Sequence, residues 1–289
     1  MIAMVTPRGH LTGNDFEGIR GYDLIQLGIA ADERLRARRG QRVTYVRVQE
    51  ISSFMIPADF EVLPGAGELR IVVDPETQDD ALTLTRAVAS VSGKVPVTGF
   101  RLDQLAELCN NEGRTLGCFL TDLRRAGLKM VSALSAEIAL ARKWLDVSSD
   151  VGVGVARLTV ERSEGDRGVD LLTKISGWGQ STRHVHAFAP LAGRMDDGVT
   201  TGYGDMRVIA QARLLVDNID SIQVDWSRLG AKLAQVALTF GADDIDSVSP
   251  SDSREHGPRR MPVEELKQNI LAADRVPVER NGCFEMSTL

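Results

Sequence analysis

Cysteine is scarce in this chain of 289 residues: there are three, Cys109, Cys118 and Cys283. An odd number, with no secretory signal ahead of it, points to free thiols in a reducing compartment rather than a disulfide framework. Long apolar runs are missing as well. None approaches the ~20 residues that a bilayer span needs, and Met1 to Gly13 has no apolar core behind basic residues. The expectation is a cytoplasmic protein without a membrane partner. An excess of basic charge is also absent: 34 Lys and Arg face 40 Asp and Glu, for a net charge of −6. That argues against nucleic-acid binding, which needs clustered cations to displace counterions. The basic clusters at Arg34–Arg42, Arg124–Arg125 and Arg259–Arg260 read as solvated faces and loops. There is no Gly-x-Gly-x-x-Gly after the first strand, no Gly-x-Ser-x-Gly nucleophile turn, no long internal repeat and no low-complexity tract.

What is present is the composition of a globular protein, 43% hydrophobic and 26% charged, long enough to bury a core without disulfides or metals. After a polar leader, Leu24, Leu27, Ile29–Ala31 and Leu35 recur at helical spacing up to Gly40. A strand-and-helix rhythm follows. Strand-like runs fall at Val43–Val48 with Ile51–Ile56, Glu68–Val73, Val95–Thr98, Lys129–Leu134, Val153–Val160, Val185–Leu191, Ser221–Trp226 and Ile245–Val248. Helical patterns fall between them, at Asp79–Ser92, Leu102–Cys109, Leu116–Ala126, Ala136–Val147, Gly168–Ile175, Gly204–Asn218, Gly230–Gly241 and Val263–Ala273. The Gly204–Asn218 pattern reads as strongly amphipathic. About eight βα units predict an α/β fold, a closed (β/α)8 barrel of TIM type rather than an open sheet. The chain reads as a single domain, with residues 1–42 as leader and helix and residues 43–289 as the barrel.

Several segments in one order are similar to the aminofutalosine synthase branch of the radical S-adenosylmethionine superfamily, whose neighbours are cyclic dehypoxanthine futalosine synthase and the FO synthases. They are Leu27–Glu33 with Gly40–Val46, Ala126-Gly127-Leu128, Ala136-Glu137-Ile138, Ala187–Ala192, Thr201–Ala210, Lys232–Leu238, Phe240–Asp246 and Arg275–Arg280. The resemblance implies a radical-S-adenosylmethionine-like barrel. It also implies a Cys-x3-Cys-x2-Cys motif after the first strand, whose thiolates hold three irons of a 4Fe–4S cluster. Here that strand carries Ile51-Ser52-Ser53-Phe54-Met55, and no cysteine precedes Cys109. The helix that should follow is shortened to Ala58–Gly67, so the first crossover is truncated. The Gly-Gly pair that ends the second strand in relatives is replaced by Val72-Val73-Asp74-Pro75. The expectation is a degenerate barrel with no iron–sulfur cluster and no cofactor.

Residues at strand C-termini face the site of a barrel. By that rule Ser53, Asp74, Glu76, Arg101, Ser135, Glu161, Arg162, Arg194, Asp225 and Trp226 are candidates, although for any single one an ordinary residue at a loop entrance is the commoner case. Four of these, Glu161, Arg162, Arg194 and Asp225, are singled out as ligand-binding candidates together with His186 of the sixth strand. Arg162 and Arg194 could clamp a small carboxylate ligand, and His186 could serve as an acid–base group. His184 and His186 share a face, but with no third ligand in sight a metal site is not expected. Phe54, Met55, Val72, Val73, Phe60, Val62 and Leu63 are expected to pack the cofactor space shut, leaving any cavity near Arg162, His186 and Asp225. An active paralogue or a second copy of the chain is the protein partner that the resemblance suggests.

Overall fold

The computed structural model describes residue 19 and residues 21–160, 165–191, 202–251 and 262–286. The first helix, α1 (Leu24–Arg39), starts at a reciprocal cap between Asp23 and Gln26 and ends at Gly40, with Arg36, Arg38 and Arg39 in its last turn. Both ends satisfy backbone groups that a helix leaves unpaired, and the arginines suit the negative end of its dipole.

Eight parallel strands then close a barrel: β1 (Arg42–Ile51), β2 (Glu68–Ile71), β3 (Val97–Arg101), β4 (Leu128–Ser135), β5 (Gly154–Thr159), β6 (Val185–Ala189), β7 (Ser221–Asp225) and β8 (Asp244–Val248). They pair in sequence order, and β1 closes the ring by pairing with both β8 and β2. The outer layer comprises α2 (Gln78–Val91), α3 (Leu102–Glu112), α4 (Leu116–Ala126), α5 (Ala141–Asp150), α6 (Gly165–Ser176), α7 (Gly202–Leu215), α8 (Trp226–Leu229), α9 (Ala231–Ala237) and α10 (Val263–Ala272). The closed (β/α)8 barrel is the fold that the strand-and-helix rhythm predicts.

A ninth strand, β9 (Val276–Glu279), was not foreseen. The short β2 covers only Val48–Ile51 of β1, and β9 pairs with the remaining lower edge, Arg42–Tyr45. The last described residues thus seal the foot of the barrel, the end where the strands begin.

Three other readings are corrected. The first crossover is shorter still than expected: β1 stops at Ile51, and no helix forms between Ser52 and Gly67. Pro57 and Pro64 remove donors there, and Gly65 takes a left-handed φ of 84° against the Arg47 guanidinium, which together favour turns over a helix. The helix expected from Ala136 begins at Ala141. The Gly204–Asn218 pattern forms α7, but Asp205, Met206 and every residue from Val208 to Leu215 are buried. α7 is covered by α1 on one side and the barrel on the other, so its face is not free to serve as an interface.

Gly127 ends α4 at φ 118°, and a Cβ there would stand 2.5 Å from the Cβ of Ala89 on α2. Both conformation and space therefore demand glycine. Gly127→Ala is expected to lower stability by ~2 kcal/mol, measured as the shift of the urea unfolding midpoint. An unchanged midpoint would refute this packing argument.

Candidate functional site

Charged residues interrupt the apolar strands β2, β5 and β8, and the fold brings them together inside the barrel. On β2, Glu68 and Arg70 lie two apart and therefore share a face. Arg70 donates from Nε and Nη2 to Glu68, at 2.7 and 2.9 Å, and from Nη1 and Nη2 to Asp246 of β8, at 2.9 and 2.7 Å. Thr98 of β3 adds a donor to Glu68 at 2.5 Å. Arg157 of β5 reaches across the lumen to the same Asp246 carboxylate. Below this chain, Asp244 accepts both arms of Arg280, at 2.6 and 2.7 Å, and further bonds from Thr44 and Gln223. Three carboxylates and three guanidiniums thus balance in the lumen.

Burial disfavours the charge on Asp246, Arg70 and Arg280, and their partners outweigh it. Asp246 titrates far below the ordinary carboxylate range because Arg70 and Arg157 overcome its desolvation. Arg70 is held above its ordinary value by Asp246 and Glu68, and Arg280 by Asp244. In a low-dielectric interior such groups persist only when paired and hydrogen-bonded.

The foot is closed by the residues after β9. The Arg280 guanidinium lies 3.7 Å from the centre of the Phe284 ring, and Phe284 stacks on His186 with centroids 4.8 Å apart and planes at 17°. Gly282 donates to the Gly67 carbonyl at 2.9 Å, tying this segment to the loop before β2. His186, the second residue of β6, therefore belongs to the foot and not to the mouth where a catalytic group is expected. Burial, then the nearby Arg280 and His184, push its pKa below the ordinary 6.5, with Asp220 opposing. The folded protein thus favours neutral His186. The stability this gives is present above about pH 6.5 and is lost as pH falls toward the folded value. His186→Gln should flatten the pH dependence of urea stability in that window, and an unaltered slope would count against the assignment.

The other candidates are placed as follows. Asp225 lies at the mouth end of β7, where its Oδ1 accepts from Ser227 N and Oγ, at 2.8 and 2.6 Å, and its Oδ2 from Ser247. It caps α8, which accounts for its position without a ligand. Asp74 accepts from Gln104, Arg101 pairs with Asp103, and Trp226 is buried. Glu161, Arg162 and Arg194 lie outside the described residues. The packing expectation holds for Phe60, Val62 and Val73, which pack against the core, and is corrected for Phe54, Met55 and Val72, which are 46%, 80% and 44% exposed. They line the rim instead of filling the lumen, whose space is crossed by the arginine–carboxylate chain. A cleft of about 560 Å³ opens at the foot, beside Lys94, Val97, Lys129 and Cys283, at the end opposite the expected one.

The residues present do not fit a 4Fe–4S cluster. No thiol lies on β1 or in Ser52–Gly67. Cys109 is buried in α3, where desolvation pushes its thiol up to about 11. Cys118 is exposed on α4, and Cys283 is half-buried at the foot. Ligation needs closely spaced thiolates, and these three do not converge on any strand end.

Comparison with known proteins agrees with this architecture. Residues 191–289, which span β7, β8 and β9, match the family model described as the CofH/MqnC C-terminal region. The 5-amino-6-(D-ribitylamino)uracil–L-tyrosine 4-hydroxyphenyl transferase of Methanococcus maripaludis is 26% identical over 256 residues, covering 76% of this chain and 71% of that protein. The aminodeoxyfutalosine synthase of Thermus thermophilus is 38% identical over 90 residues, covering 29% of this chain and 24% of that protein. Among solved structures, methylornithine synthase superposes with a TM-score of 0.64 at 16% identity, covering 93% of this chain and 94% of that one. The [FeFe]-hydrogenase maturase HydG gives 0.62 at 11% identity, covering 95% and 74%. At such identities these two show the fold alone, a closed (β/α)8 barrel. In sequence the chain resembles the futalosine and FO synthase-like branch.

Proposed function

We propose that this chain is a cluster-free relative of that branch, one that does not run radical chemistry and works as a binding or partner protein beside an active relative in the futalosine route to menaquinone. The observation that carries this reading is the first crossover, a helix-free segment without a single thiol, Ser52–Gly67. The buried charge chain supports it. A lumen tied by Glu68, Arg70, Asp246 and Arg157 is filled by the protein's own groups. No helix among the described residues is long and apolar enough to cross a membrane, and a cytoplasmic location belongs to the same proposal.

The test is anaerobic reconstitution with iron and sulfide. The expected product is colourless, with iron far below one cluster per chain. A brown protein with stoichiometric iron and sulfide would overturn the reading.

A second reading is an enzyme that performs polar chemistry on a carboxylate-bearing small molecule at the mouth. One observation favours it: of the three lumen arginines, Arg157 alone keeps a solvent-accessible side chain, at 22% against 7% for Arg70 and 2% for Arg280.

A further inference from the structure

We propose that Arg157 is the anchor of an oxyanion site at the floor of the barrel mouth, taking a small carboxylate or phosphate. It rests on the reading that the mouth, freed of a cluster, is the face that binds ligand.

The hydrogen bonds of the lumen carry the argument. Each buried carboxylate is met by a guanidinium fork without Arg157. Glu68 has Nε and Nη2 of Arg70 and the Thr98 hydroxyl; Asp246 has Nη1 and Nη2 of Arg70; Asp244 has Nε and Nη2 of Arg280. Arg157 adds one further donor, from Nη1, to an Asp246 already held at both oxygens. A guanidinium has five N–H donors, so most of the Arg157 fork has no protein acceptor among the described residues. Its register neighbours on β4 and β6 are Ala133 and Ala187, whose short side chains neither crowd it nor accept from it. The foot is sealed by Arg280 and Phe284, so solvent reaches Arg157 from the mouth. A half-buried guanidinium whose remaining N–H groups have no acceptor among the described residues, set between methyl groups, suits bidentate recognition of a planar or tetrahedral oxyanion. Its bond to Asp246 holds the fork in place before the ligand arrives.

The experiment is titration of the full chain with sodium acetate and, in a second arm, inorganic phosphate, with sodium chloride as the ionic-strength reference. Binding is followed by amide chemical shifts. Saturable shifts at the ends of β4, β5 and β6 are expected in at least one arm, and the arm with the stronger binding identifies the oxyanion. Arg157→Ala should weaken that binding by about tenfold or more. Arg157→Lys, which keeps the lumen neutral, should weaken it by less while melting as the parent does. Lys143→Ala, an exposed charge on α5, should leave it unchanged. No saturable binding in either arm would overturn the proposal, as would a folded Arg157→Ala and Arg157→Lys pair that both bind like the parent. Neither result touches the cluster-free reading, which stands or falls on iron reconstitution.

Discussion

Arg70→Ala is expected to cost roughly 3–5 kcal/mol of folding stability, the range for removing one partner from a buried ionic group. The alanine leaves both Glu68 and Asp246 inside the barrel without the guanidinium that bridges them, at 2% and 0% side-chain exposure. Thr98 and Arg157 supply single donors in its place. The sign of the pH response distinguishes this cause from a simple cavity. In the parent, Asp246 titrates below its unfolded value, so its stabilisation is present above the ordinary carboxylate range and is lost as pH falls. In the variant the uncompensated carboxylates are relieved by protonation. The deficit should therefore shrink as pH is lowered from neutrality toward the carboxylate range. Urea unfolding at several pH values reads this directly, and a deficit that stays constant with pH would mean that lost packing, not stranded charge, is the cause.

Arg280→Ala should cost roughly 3 kcal/mol or more, with a different spatial signature. Its guanidinium joins Asp244 to the Phe284 ring, so its loss strands a carboxylate and also removes the cation above the aromatic face. Thr44 and Gln223 still donate to Asp244 and soften the loss. Hydrogen exchange should rise first at β9 and Gly282 and at the lower half of β1, while β4–β6 stay protected. Uniform loss of protection across all strands would show that the foot does not open as a separate unit.

The barrel was legible in the sequence because its signal is local. Short apolar strands, helical periodicity and glycine stops each fit within a dozen residues, and helix starts such as Thr77 and Thr115 carry their own caps. The ninth strand was not legible, because Val276–Glu279 is stabilised by an edge of β1 that β2 leaves bare, a fact about register. The site was read by a rule that points to strand C-termini. That rule found Asp225, which turned out to cap a helix, and missed the charges that meet in the lumen. Their signal was present as Glu68 and Arg70 within a four-residue strand, Arg157 between Ala156 and Leu158, and Asp244 and Asp246 around Ile245. A charge inside an apolar strand has no meaning until its partner is known, and Arg70 and Asp246 are separated by most of the chain. The exposed rim residues Phe54 and Met55 misled for a related reason. Apolar character suggested filling a void, but the void was already occupied by longer, charged side chains.

The seal at the foot also bears on how the protein is made. β9 pairs with β1 and carries Arg280 into the lumen, so the first strand waits for a partner translated after every other described element. During synthesis β1 stands with its lower edge open and Asp244 without its cation until residues 276–286 have left the ribosome. Such long-range closure is slow, and it leaves a strand edge available to wrong pairing in the meantime. A chain cut before Val276 is expected to leave the lower edge of β1 unpaired and Asp244 without the Arg280 guanidinium.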